Sequence, residues 1–167
     1  MKQFFFEPMS NEDLSWFLSV RNSVRQYLHN SREFILEDAQ IWFMNLGDLE
    51  YYKIFILQEN GLRVKIGYIR FRNIDKSNIG EIGLDLDPKY QGLKLSVQAY
   101  AEFARANKAQ CKVWTLRVRK SNQRAFSLYT KLGFIVVGEF YSNELEENEY
   151  LMLVHVEHVA SITNQIG

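Results

Sequence analysis

Two stretches of this chain combine residue types that could hold and process an anionic ligand. In the first, Asn122-Gln123-Arg124-Ala125-Phe126-Ser127-Leu128-Tyr129-Thr130-Lys131-Leu132-Gly133-Phe134, Asn122, Ala125 and Tyr129 fall three and four residues apart, so on a helix they share one face. A small alanine between two polar side chains leaves room for a ligand to lie there. An amphipathic helix with a capping asparagine satisfies the same spacing. In the second, Leu84-Asp85-Leu86-Asp87-Pro88-Lys89-Tyr90-Gln91-Gly92-Leu93-Lys94-Leu95-Ser96, an apolar alternation stops at a proline turn, and a polar, glycine-containing loop follows. If that loop opens a helix, the unpaired N–H groups and positive dipole end at the helix start can cradle a phosphate. Many strand-to-helix turns bind nothing, so this segment alone is a weak signal.

The elements that must position these residues follow from pattern. Gln3 to Glu7 reads as a first strand, and Asn11 as the cap of a helix carrying Trp16, Phe17 and Val20. Leu36 to Leu46 reads as a second helix with Ile41, Trp42 and Leu46 on its apolar face, closed by Gly47. Tyr52 to Gln58 and Arg63 to Arg72 are β-rich runs joined at Asn60-Gly61, a strong hairpin signal. From Gly80 to Leu86, Ile82, Leu84 and Leu86 alternate with Glu81, Gly83 and Asp85, as in a half-exposed strand. A helix from Leu95 past Ala104, a strand from Lys112 to Val118, the Asn122 to Lys131 helix and strands over Ile135 to Tyr141 and Glu149 to Val156 complete the order. The result is a mixed α/β domain over residues 1–159, with 160–167 as a frayed tail.

Composition narrows the function. The 167 residues carry 20 basic and 20 acidic side chains, which argues against a nucleic-acid binder relying on a basic field. Arg70, Arg72, Arg117 and Arg119 alternate along strands as solvated faces or phosphate-steering groups. No stretch approaches the ~18 apolar residues of a membrane span, and the start is too short and too soon acidic for a signal peptide. A cytoplasmic setting without membrane attachment is expected. Cys111 is the single cysteine, so neither an internal disulfide nor a thiolate metal cluster can form. With no histidine spaced to activate it, Cys111 reads as a small buried residue, and no metal is expected.

Asn-x-x-Ala-x-x-Leu-Tyr-x-Lys-x-Gly-Phe, following a strand, closely resembles the signature of the GCN5-related N-acetyltransferase superfamily. The upstream loop resembles that family's acetyl-CoA pyrophosphate motif, and Glu81-Ile82-Gly83-Leu84-Asp85-Leu86 resembles the strand preceding it in the branch that acetylates ribosomal-protein N-termini and amino sugars. The similarity is strong from about Ile66 to Phe134. It implies one α/β domain with a central mixed, mostly antiparallel twisted sheet flanked by helices. It implies an acetyl-CoA-dependent N-acetyltransferase: Leu84 and Leu86 pair through their backbones with the pantetheine arm, and the Leu84 N–H polarises the thioester carbonyl. Backbone N–H groups of Gln91, Gly92, Leu93, Lys94, Leu95 and Ser96 would hold the pyrophosphate. Asn122 would hydrogen-bond the cofactor arm, Ala125 would pack beside it, and Tyr129 would protonate the departing thiolate. The loop departs from the family twice. Ser96 replaces a small residue, and Lys94 stands where glycine is usual, a costly exchange if that position requires positive φ, and one that leaves a non-catalytic CoA- or anion-binding module as the alternative to an enzyme.

The acceptor amine must lose a proton before it attacks. At pH 7 this costs about 4.6 kcal/mol for a lysine-like amine, and about 1.4 kcal/mol for one of pKa near 8. Base candidates are few: His29, His155 and His158 lie off the central strand, and Glu81 stands at its start as the direct or water-mediated base. A low-pKa amine fits this thin inventory, with a nucleotide-linked amino sugar as the first expectation and a ribosomal-protein N-terminus as the second. The first two helices would supply the acceptor wall, with Arg21 and Asn22, and Arg25 beside them, as substrate-binding candidates. The aromatic-rich C-terminal strands allow a homodimer.

Overall fold

The computed structural model describes residues 2–74, 78–107 and 110–162. Its elements are β1 (Phe4–Pro8), α1 (Leu14–Val24), α2 (Leu36–Met44), β2 (Leu49–Leu57), β3 (Arg63–Ile74), β4 (Ile79–Leu86), α3 (Leu95–Asn107), β5 (Val113–Arg119), α4 (Gln123–Lys131), β6 (Ile135–Ser142), β7 (Glu147–His155) and α5 (Val156–Ser161). The strands form one seven-stranded sheet in the order β1-β2-β3-β4-β5-β7-β6. β4 and β5 run parallel, whereas β1–β2, β2–β3, β5–β7 and β6–β7 are antiparallel. This is the single α/β domain with a mixed, mostly antiparallel sheet that the sequence implies. No described helix is long and apolar enough to cross a membrane.

Within the sheet the chain clusters into two compact units, Met1–Arg72 with Gly83–Ala99, and Asn73–Ile82 with Tyr100–Gly167. In the first unit, Leu14, Phe17, Leu18 and Val20 of α1 pack with Met9, Ala39 and Tyr68, and Trp16, Phe34, Trp42 and Tyr51 complete the cluster. The rings interlock. Phe17 stacks on Trp42 at 5.0 Å, and Tyr51 meets Trp42 edge-on at 4.9 Å. In the second unit, the buried indole of Trp114 lies 6.4 Å from the Tyr100 ring and 6.0 Å from Phe103.

Several local expectations change. Asn11 does not cap α1: the N-cap of α1 is Asp13, and Ser10 caps the short turn that leads into it. Asn11–Asp13 form a 3-10 turn, and the Asp13 carboxylate accepts from the Ser10 N–H at 3.0 Å. A short polar residue one position earlier serves the turn as well, because Asp13 reaches back to it as in a capping box. Ile41, expected on the apolar face of α2, is exposed, since the burial of that short helix runs through Ala39, Trp42 and Phe43. The expected tail begins inside α5, whose Val156 and Val159 are buried. Residues 163–167 of that tail lie outside the described residues.

Candidate active site

The first unit supplies a strand edge and a loop. The Asp87 N–H donates to the Ile66 carbonyl at 2.9 Å, so the main-chain groups of Asp87 face β3. By strand alternation those of Leu86 and Leu84 face the opposite edge. The parallel β4–β5 ladder lies wholly in the second unit and ends at Glu81↔Thr115. The edge groups of Leu84 therefore lie beyond its last rung. Leu86 differs, because its carbonyl accepts from the Gln91 side chain at 3.0 Å, a bond that ties the loop back to its own strand.

That loop passes through a 3-10 turn over Pro88–Tyr90, where the Asp87 side chain accepts from the Lys89 N–H at 3.1 Å, and enters α3 at Leu95. Two of its residues are left-handed, Gly92 at φ +77° and Lys94 at φ +57°. Glycine adopts such angles freely, while a side chain there costs roughly 1–2 kcal/mol. Gly92, Leu93 and Lys94 are exposed, Ser96 is half-buried and Leu95 is buried as the anchor of the helix. The loop thus holds its lysine in the conformation that glycine usually serves.

The second unit supplies α4. Asn122 Oδ1 accepts from the Ala125 N–H at 3.1 Å and so caps the helix. What Asn122 can still offer a ligand is its amide N–H2. Ala125 and Tyr129 are half-buried on the same face. The Tyr129 ring is held edge-on to Tyr100 at 6.2 Å and against Phe134 at 5.7 Å. The turn closing α4 carries Gly133 at φ +86°, with the His158 ring 2.4 Å from where a Cβ would stand. Glu81 is half-buried on the β4–β5 ladder of this unit.

The α1 candidates are used inside the protein. The buried Arg21 donates through Nη1 to the Arg32 carbonyl and through Nη2 to the Asn30 carbonyl at 2.7 Å, with Phe34 stacked 3.9 Å from its guanidinium. Asn22 donates to the Phe34 carbonyl at 2.8 Å and accepts from its N–H at 3.1 Å, as a β-ladder rung would. Together they hold the loop between α1 and α2. Arg25 pairs with Glu33 at 3.6 Å. The base of α1 is fixed by Asp13, whose carboxylate takes Lys53 Nζ at 3.0 Å and Lys65 Nζ at 2.9 Å.

Sequence reasoning did not pick out a polar cluster on the β2–β3–β4 face of the first unit. Asp85 hydrogen-bonds Tyr68, and Arg70 hydrogen-bonds Tyr51. The Arg70 guanidinium lies 3.2 Å from where a Gly83 Cβ would stand. Burial pushes the Asp85 carboxyl above its ordinary range, although Tyr68, Arg70 and Arg21 pull the other way. Burial also raises Tyr51 to about 12 and Tyr68 well above 10, so both remain phenols. Arg70, expected on a solvated face, is half-buried because Gly83 lets it lie on the strand. The missed signal was register: Asp87 against Ile66 sets Gly83 beside Arg70 and Asp85 beside Tyr68, a pairing no local motif encodes. Cys111 is buried, as expected, and burial raises its thiol. No group of metal-ligating side chains occurs among the described residues.

In the first unit a strand edge thus leads into a loop with left-handed residues at a helix start, an arrangement that suits an extended ligand bearing a phosphate. The acetyltransferase (GNAT) family model matches residues 17–134, and the chain belongs to that family of acetyl-CoA-dependent N-acetyltransferases. No curated protein matches the chain in sequence. Among solved structures, a domain from Methanocaldococcus jannaschii DSM 2661 superposes with a TM-score of 0.79 at 18% identity, covering 93% of this chain and 99% of that one. The spermidine N-acetyltransferase of Vibrio cholerae, in complex with CoA and spermine, gives 0.79 at 15% identity, covering 94% and 98%. An aminoglycoside acetyltransferase in complex with coenzyme A and kanamycin gives 0.75 at 17% identity, covering 93% and 96%. At these identities the likeness is one of fold.

Proposed function

We propose that the protein transfers the acetyl group of acetyl-CoA directly to the primary amine of a small molecule, by preference a nucleotide-linked amino sugar. The observation that carries this reading is the Leu84–Leu86 edge of β4 leading into a loop with left-handed residues at the start of α3. Such an edge suits an extended amide-bearing arm, and such a loop suits a pyrophosphate. The family membership and the CoA complexes of the fold neighbours support it. Small amines as acceptors are in keeping with the spermine and kanamycin bound by those neighbours.

In this reading the Leu84 N–H donates to the thioester oxygen as negative charge develops there, an oxyanion-type contact. N–H groups from Gln91 to Ser96 hold the pyrophosphate, and the Asn122 amide and Ala125 meet the pantetheine arm. Tyr129 gives its phenolic proton to the leaving thiolate. Arg21 and Asn22 serve the acceptor through the loop they hold. The exposed β6 residues Ile135, Val137 and Tyr141 are the surface a second copy of the chain would cover.

Calorimetric titration with acetyl-CoA and with CoA tests the cofactor assignment. Micromolar binding is expected for both. Absence of binding up to millimolar concentration would leave the fold standing and remove the enzymatic reading.

A further inference from the structure

We infer that Asp85 is the group that takes the proton from the acceptor amine, held for that task by Tyr68 and Arg70. The inference rests on the acetyl-transfer reading above and deepens it by assigning its base.

Position comes first. The Asp85 side chain leaves β4 one residue after Leu84, whose N–H is assigned to the thioester oxygen. Glu81 lies three residues away on the other side, about 10 Å along a strand rising ~3.3 Å per residue. A base must stand within hydrogen-bond reach of the attacking amine, and Asp85 is the nearer of the two carboxylates.

Environment comes second. The half-buried Asp85 carboxylate accepts from the buried Tyr68 hydroxyl, and Tyr68 is locked by the Phe17 ring at 4.8 Å and the Tyr51 ring at 5.8 Å. Arg70 lies along Gly83, two residues before Asp85 and on the same face, and bonds the Tyr51 hydroxyl. Arg21 on α1 adds a second positive charge and is immobilised by the Asn30 and Arg32 carbonyls. The carboxylate thus accepts from one phenol and feels the charge of two guanidiniums, in a unit whose Phe17 ring, beside Tyr68, stacks on Trp42. Burial makes the carboxylate more basic than an exposed one, and the Tyr68 hydrogen bond and the two guanidiniums oppose that rise. These are the opposing influences that a general base requires.

The proton count closes. The acceptor ammonium gives one proton to Asp85, and the neutral amine nitrogen forms the C–N bond to the thioester carbon. As the C–S bond breaks, Tyr129 protonates the sulfur and is restored by one of the two protons left on the nitrogen, the other staying on the product amide. Asp85 returns its proton to water.

The test uses the full chain with acetyl-CoA and whichever of UDP-glucosamine, spermidine and kanamycin the wild type acetylates fastest. D85N is expected to bind acetyl-CoA as the wild type does and to lose about 10²–10³-fold in kcat. Its kcat should also rise about tenfold per pH unit up to the pKa of the amine, whereas wild-type kcat is flat above the titration of Asp85. A merely structural role would lower kcat without changing the profile. Y68F keeps the carboxylate and removes its donor, so Asp85 becomes more basic, and the acid limb of the profile should move to higher pH. D85N turnover within threefold of wild type, or a profile parallel to it, would overturn the assignment. Loss of turnover in E81Q with normal D85N would give the proton to Glu81 instead. Failure of the wild type to bind acetyl-CoA defeats the acetyl-transfer reading, and the assignment with it.

Discussion

Lys94 carries a side chain on a left-handed backbone, and replacing it by glycine separates two consequences of that placement. At φ +57° the lysine backbone is left-handed, a strain of roughly 1 kcal/mol for a residue with a Cβ. Glycine relieves that strain but gains about 0.5 kcal/mol of freedom in the unfolded chain. The net is about 0.5 kcal/mol of stabilisation, or a Tm higher by about 1–2 °C in a domain of this size. Strain of this kind persists where it serves a site. Lys94 is exposed and immediately precedes α3, where the proposed function puts the pyrophosphate. Losing one charge-assisted contact to it should weaken acetyl-CoA binding by about tenfold, or ~1.4 kcal/mol. K94A is the control. It keeps the strain and loses the charge, so it should weaken binding equally without raising Tm. Calorimetry at two salt concentrations reads the affinity, and the salt dependence should shrink in both variants. If K94G instead binds more tightly, the lysine obstructs the cradle and the argument from strain to function fails.

Two further perturbations test other parts of the molecule. Tyr129→Phe should lower turnover by about 10²-fold with little change in acetyl-CoA affinity, and unchanged turnover would remove Tyr129 from the mechanism. Asp13→Asn leaves Lys53 and Lys65 facing a neutral group in a buried site, so it should cost about 3 kcal/mol and lower Tm by about 6–12 °C. For Asp13, burial alone would raise the pKa. Hydrogen bonds from Lys65, the Ser10 N–H and Lys53 outweigh it and hold the carboxyl well below its ordinary value. Its contribution is therefore complete above the ordinary carboxylate range and is lost as pH falls below it. Urea midpoints measured between pH 5 and 2 should fall more steeply for the wild type than for D13N, and parallel curves would refute the assignment.

What the sequence disclosed follows the range over which each feature is encoded. The β4–α3 loop and the α4 motif are written in consecutive residues, so their elements and the shared face of Ala125 and Tyr129 were legible, whereas positive φ at Lys94 was only a condition attached to the resemblance. Arg21 and Asn22 were legible as polar residues of α1 but not as loop anchors, because their partners, the Asn30, Arg32 and Phe34 backbones, lie about ten residues away in a segment without regular pattern. A guanidinium between two carbonyls satisfies its donors without any acidic residue, and charge patterning has no means to show that. Asp85 was hidden for a different reason. In the alternation Glu81-Gly83-Asp85 it has the pattern of a solvated strand face, and only pairing with β3 brings Tyr68 and Arg70 onto that face. The same pairing explains Gly83, since any side chain there would meet the Arg70 guanidinium. A glycine and an aspartate two residues apart on a strand look like weak sheet formers when read along the chain. Read across it, they are the space and the charge that a half-buried arginine requires.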